Sequence, residues 1–246
     1  MKALRFLLRG KTAFFKQPDV NTYCYYTYGC IHKIALLGIF GAVMGFRGYN
    51  GQTKAETYPE FYEKLKNLKV SICPLNEKGY IPKKVQTFNN SVGYASKEEG
   101  GNLIVKEQWL ENPKWEIAFL VDDPQSENLA ERILESQFEF LPYLGKNDHT
   151  AVIENVEEVE LEAETKRENL RVYGLFPANQ GSLSENSVRR PLGREVPYKY
   201  QERLPVALEP ACNQYVTQAM IDTNQRVSLT DAACVFRLEE RHYVFF

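Results

Sequence analysis

Hydrophobic and polar positions change their period several times along the chain. Residues 3–9 are apolar except at Arg5 and Arg9 and read as a first strand. Ile34 to Phe46 is an apolar run of 13 residues, and its core, Ile34 to Met44, carries no charge. Ala35, Gly38, Ala42 and Gly45 recur there at helical spacing, while Leu37, Ile39, Phe40, Val43 and Met44 cover much of the rest. The pattern predicts a helix over about 31–45 that is apolar nearly all round, and such a helix is buried on nearly all sides. It is too short to span a bilayer, which needs roughly 17–25 residues. Each interior glycine costs about 1 kcal/mol relative to alanine. Close approach of another backbone would offset that cost, so Gly38, Gly41 and Gly45 are assigned to a contact face. One side of the helix is expected on the chain's own sheet, the other under a further layer or a partner chain.

Pro59 opens a short helix through FYEKLKNL, and KVSIC (69–73) reads as a second strand stopped by Pro74. WEIAFLV (115–121) alternates as a third strand. Asp123-Pro124 starts a second helix with Asp123 or Ser126 as its cap, and Leu129, Ile133, Leu134 and Phe138 mark its buried stripe. Residues 150–164 return as a strand, with Glu158, Glu160, Glu162 and Glu164 on one face. Strand, helix, strand, strand, helix, strand is the split βαβ, ferredoxin-like order. The RNA-binding RRM shares that order, but its short aromatic motifs are absent. Residues 75–112, rich in Asn, Gly, Ser and Lys, read as a hairpin-like excursion. Beyond Lys166 the pattern weakens: strands are expected at 171–178, 233–237 and in HYVFF, and a short helix at 212–221. The predicted class is α+β, with a ferredoxin-like domain at 1–165 and a smaller, mostly β region at 166–246.

The net charge of −2 excludes a general nucleic-acid coat, so any RNA contact must use local basic patches. Five cysteines without a C-x-x-C pair read as reduced thiols, with neither zinc site nor disulfide frame. No signal-peptide core and no spanning segment are seen, so a cytoplasmic, membrane-free location is expected. His32, His149 and His242, the only histidines, lie in no nucleophile, zinc or phosphate-loop motif, so neither metal nor cofactor is expected. The glutamate ladder reads as a solvated strand edge.

His32 and Lys33 fall in the first turn of the apolar helix, where a cation is unfavourable unless an anion binds beside it. Single-stranded RNA needs cations for phosphates and flat groups for bases. Candidates form three groups. Lys16, Tyr28, His32 and Lys33 lie around the helix start; Arg47 and Tyr49 lie at its other end. Lys83, Lys84, Asn89, Asn90 and Tyr94 lie in the excursion. Tyr23, Tyr25 and Tyr26 read as packing groups. Arg189, Arg190, Arg194, Lys199 and Arg203 form a further basic segment, suited equally to RNA or to a protein partner.

FFKQP, TYGCIHKIALLGIFGAVMG, YLGKNDH and YKYQERLPV together resemble the CRISPR-associated "Cas five" family of RAMP proteins, most of all the member in the type I-B interference complex, Cascade. The resemblance implies a ferredoxin-like domain with a thumb-like hairpin. It implies a subunit that grips the 5′ handle of the CRISPR RNA and caps one end of the complex. Its neighbours would be the repeated backbone subunit and the large subunit, with target DNA met only inside the complex. On this basis Lys16, His32 and Lys33 become candidates for handle contacts. The type I-C relative cuts repeat RNA without metal, using Tyr, Lys and His groups; Tyr28, His32 and Lys33 are the corresponding candidates for a nuclease reading. Lys106–Glu107 stands where a dedicated Lys–His pair would be expected. An unrelated cytosolic interaction domain is the remaining alternative.

Overall fold

The computed structural model describes residues 1–19, 22–94, 97–184 and 196–246. In chain order the elements of the first part are β1 (Lys2–Arg9), β2 (Thr12–Ala13), α1 (Lys33–Met44), α2 (Glu60–Leu65), β3 (Val70–Pro74), β4 (Lys83–Asn89), β5 (Ile104–Glu111), β6 (Lys114–Leu120), α3 (Pro124–Leu134) and β7 (Val152–Glu160). There follow β8 (Glu162–Ala163), β9 (Leu170–Arg171), β10 (Phe176–Pro177), β11 (Gly181–Leu183), β12 (Lys199–Leu208), β13 (Tyr215–Thr223), β14 (Arg226–Leu229), β15 (Cys234–Leu238) and β16 (Arg241–Phe245).

The central sheet has the order β3-β6-β1-β7, antiparallel throughout. Strands one to four of the ferredoxin-like pattern are β1, β3, β6 and β7, joined by α1 and α3, so the predicted order closes into the expected sheet. The alternation of β1 explains its placement. Leu4, Phe6 and Leu8 are buried. Phe6 meets Phe40 of α1 edge-on at 6.2 Å, and Phe40 meets Phe119 of β6 at 5.3 Å. Ala3, Ala118 and Leu120 instead join Tyr243 and Phe245 of β16 in a second cluster. The C-terminal strands also add Leu204, Leu208 and Met220 to the main core. The main chains of Val70 and Phe246 exchange hydrogen bonds of 3.2 and 3.1 Å.

Helix ends follow their local chemistry. Asp123 caps α3 by accepting from Ser126 N at 2.7 Å, and Ser126 Oγ accepts from Asp123 N at 3.0 Å, a reciprocal capping box. His32 caps α1 through Nδ1, which accepts from Ala35 N at 3.2 Å. Gly45 closes α1 with φ +76°, a left-handed position that glycine enters without penalty. The excursion is the hairpin β4–β5, extended by β2 into a three-stranded sheet.

Three readings change. Residues 212–221 are not helical: β13 begins at Tyr215 and pairs along β12, so cross-strand partners override helix-forming Gln, Ala and Met. Leu134 is not in the buried stripe of α3 but 40% exposed at its end. The glutamate ladder is not merely solvated, and Glu164 is mostly covered. Glu158 pairs with Lys2 at 2.6 Å, Glu162 with Arg237, and Glu164 with His242 at 3.1 Å. Arg189, Arg190 and Arg194 lie outside the described residues; Lys199 and Arg203 lie on β12, where Arg203 bonds Thr217 of β13. Among the described residues no helix is long and apolar enough to cross a membrane.

Candidate functional site

The small residues of α1 form the floor of a groove of about 880 Å³, lined by Ala35, Gly38, Ala42 and Gly45. The three glycines expected on one contact face do three different things. At Gly38 an added Cβ would meet nothing within 4 Å, so the helix backbone is open to the groove. At Gly41 it would lie 2.5 Å from Phe61 Cβ, because α2 packs directly on that backbone. Gly45 is the left-handed cap. Only Gly41 makes the close helix approach that was expected, and it makes it within the chain.

Two polar ends close the groove. At one, Lys16 Nζ lies 4.0 Å from the centre of the Tyr25 ring. Tyr25 is fixed by its backbone, which donates to Lys106 O at 2.9 Å and accepts from Gln108 N at 2.8 Å. Beside it, Lys146 donates to both oxygens of buried Glu107 at 3.0 and 3.1 Å, and Trp109 Nε1 donates to the same carboxylate at 2.8 Å. Lys146 comes from YLGKNDH, a loop held by its neighbours. Gly145 has φ +91° and packs so tightly on the Phe14 carbonyl that any Cβ would overlap it. His149 shares a 2.6 Å hydrogen bond with Thr12 Oγ1 and meets the Trp109 ring edge-on at 4.7 Å. At the other end, Arg47 is clamped by Glu56 at 2.7 Å, Glu60 at 3.0 Å and the Gly51 carbonyl at 3.0 Å. Tyr49 stands edge-on to Phe61 at 5.6 Å and remains partly exposed.

Phe140 and Tyr143 line one wall. The amides of Glu139 and Phe140 donate to Val43 O and Ala42 O, both at 3.1 Å, carbonyls of the last turn of α1 that also accept from Arg132 at 3.4 Å and from Gly45 N at 3.3 Å. Phe140 is thereby held at the groove while 59% exposed. The site thus offers an apolar floor of glycine and alanine, aromatic walls, an exposed Lys16 at one end and a carboxylate-paired Arg47 at the other. Such a site suits a flexible polyanion whose flat groups can lie on the floor.

No protein-family model matches the chain, and no curated protein matches it. Solved structures do. A chain of a "CRISPR RNA-guided surveillance complex" is similar with TM-score 0.55 at 12% identity, over 91% of this chain and 90% of that one. A CRISPR protein from Archaeoglobus fulgidus is similar with TM-score 0.52 at 11% identity, over 99% and 98%. The chain shares its fold with these two CRISPR proteins. The sequence motifs and the backbone agree on that fold.

Within this CRISPR-associated fold, the motifs meet in space. Glu202 of YKYQERLPV accepts from the Gly29 amide of TYGC at 3.0 and 2.9 Å and from the Tyr200 hydroxyl. The candidate residues divide. Lys16, Arg47, Tyr49, Gly38 and Gly45 line the groove. His32 touches it, but the ring is 2% exposed among Phe15, Tyr28 and Tyr215, and burial lowers its pKa to about 3, so it is neutral. Lys33 points elsewhere: it is 9% exposed, donates to Phe246 O at 3.0 Å, and burial lowers its pKa to about 8. The helix start is therefore not an open anion site, because His32 already caps it and the Lys33 ammonium is engaged. Tyr28 is buried, with its pKa pushed up to about 12 by burial. Lys83 donates to Thr27 O at 3.5 Å and Lys84 pairs with Glu111 at 3.3 Å. Asn89, Asn90 and exposed Tyr94 belong to the far end of the hairpin, where Asn89 caps Ser91 N at 2.9 Å. Tyr25 lines the groove rather than serving only as packing; Phe140, Tyr143 and Lys146 belong to none of the sequence-based candidate groups, and Glu107 enters there only as a departure from a Lys–His pair. YLGKNDH was the signal that could have found Tyr143 and Lys146.

Proposed function

We propose that the chain is a non-catalytic subunit of a type I CRISPR interference complex that holds the 5′ handle of the CRISPR RNA in the α1 groove. The observation that carries this reading is the open backbone at Gly38, set between Lys16–Tyr25 at one end and Arg47–Tyr49 at the other. Bases lie on the floor and against Phe140 and Tyr143; phosphates meet exposed Lys16. The type I-B resemblance and the two similar CRISPR structures support the assembly. The backbone and large subunits are its protein neighbours, and target DNA is met within the complex. A repeat-cutting nuclease would need Tyr28, His32 and Lys33 at a reacting phosphate. All three are buried and His32 is neutral, so nothing favours that reading.

The test is affinity purification of the tagged chain from its host, with mass spectrometry of the proteins and sequencing of the RNA. Short RNAs sharing one repeat-derived 5′ end, together with other CRISPR-associated proteins, are expected. Recovery without RNA and without those proteins at mild salt overturns the proposal.

A further inference from the structure

A second groove, of about 320 Å³, shares no lining residue with the first. It lies where α3 crosses the end of β1 and β7, the edge strand of the central sheet. Glu127, Glu131 and Glu135 form one wall and Glu158 the other, with Lys2 the one cation among its lining residues. Lys2 is already paired with Glu158 at 2.6 Å; among the described residues, the only side-chain partner of Glu127 and Glu131 of α3 and of its C-cap Glu135 within bonding reach is Gln137, which donates to Glu135 at 2.5 Å. The floor is apolar: Val121 and Ala130 are buried, and Leu134, which helical spacing alone would bury, is left open.

We propose that this face docks a basic helix of a neighbouring protein chain, one that carries Lys or Arg four residues apart around an apolar residue. The spacing selects that occupant. Residues 127, 131 and 135 follow one another by four positions, about 6 Å along the helix axis, so cations at i and i+4 of a facing helix meet them in turn. The apolar residue between them covers Leu134. Nucleic acid is excluded by its phosphates. A second copy of this chain in a two-fold contact would bring the same glutamates face to face, and like charges opposed across an interface are costly. The proposal rests on membership of a protein–RNA complex and adds a surface turned to protein rather than RNA.

The complex is purified through this chain, treated with a zero-length carbodiimide that joins carboxylates to amines, and mapped by mass spectrometry at 0.1 M and 1 M salt. The Debye length falls from about 10 Å to about 3 Å between these conditions. Links from Glu127, Glu131 or Glu135 to lysines of one neighbouring protein are expected, and they should fade at high salt. In parallel, Glu131→Lys/Glu135→Lys should lower recovery of that neighbour by about tenfold or more, with the chain's melting temperature unchanged. Loss of the neighbour without a cross-link also supports the proposal and assigns the contact to arginine. An intact complex whose glutamates link only to Lys2, and whose double variant keeps its neighbours, overturns this proposal alone. Recovery of the chain by itself overturns the functional reading as well.

Discussion

Gly38 and Gly41 stand three residues apart on one helix, and the structure assigns them opposite responses to the same substitution. Gly41→Ala would put Cβ 2.5 Å from Phe61 Cβ. Ordinary contact begins near 3.4 Å, so α2 must retreat by roughly 1 Å, and overpacking of this kind costs about 1–3 kcal/mol. Relief of the glycine penalty returns at most about 1 kcal/mol. With that relief in full, the net loss is up to about 2 kcal/mol, and at about 2–4 °C per kcal/mol for a chain of this size the melting temperature should fall by up to roughly 8 °C. Gly38→Ala meets no atom within 4 Å, gains helix propensity, and should raise it by up to about 4 °C. Gly38→Leu should leave the fold intact while filling the groove. Loss of one stacked base is worth about 1–3 kcal/mol, so RNA retention should drop roughly fivefold to a hundredfold. Calorimetry of the purified chain gives the first two numbers and RNA occupancy of the purified complex gives the third. Equal melting of the two alanine variants, or full RNA occupancy with Gly38→Leu, would refute the division of labour along α1.

Lys33→Glu should unfold or strongly destabilise the chain, because a carboxylate would face the Phe246 oxygen in a buried site; an unchanged melting temperature would contradict its placement. Lys16→Glu should leave the melting temperature unchanged and weaken RNA retention, with a smaller salt dependence of binding as the readout. His32 is neutral in the fold down to about pH 3, whereas the unfolded chain protonates it below about pH 6.5. Its contribution is full above pH 6.5 and falls as pH drops, by up to about 1.4 kcal/mol per unit. Urea titrations should therefore show wild type losing stability faster than His32→Asn between pH 7 and 5, since asparagine keeps a capping oxygen but does not titrate. Parallel curves would argue against a buried neutral ring. Glu202→Ala strips the Gly29 amide and Tyr200 hydroxyl of their acceptor and should cost about 1–3 kcal/mol in the same assay.

The fold was legible where the pattern is local. The period of two in β1 and β6, the apolar run of α1 and the Asp123–Ser126 cap each encode their element within a few residues. At 212–221 the residues favour a helix, but β12 offers nine paired positions from Lys199 to Leu208, and pairing at a distance decided the outcome. The site was less legible because its chemistry depends on partners far along the chain. Lys33 looks like a surface charge until Phe246 is placed beside it. Lys146 gains meaning only beside Glu107, and Phe140 only after its amide reaches the end of α1. The small-residue stripe was visible in the sequence; what covers each glycine was not.

The most direct measurement is ultraviolet cross-linking of RNA to the chain in the purified native complex, with the linked residues mapped by mass spectrometry. Links at Tyr25, Tyr49, Phe140 or Tyr143 to nucleotides of one common repeat-derived 5′ end are the predicted result. Bound RNA linked elsewhere on the chain, with these four aromatics untouched, would contradict a handle seated in the α1 groove.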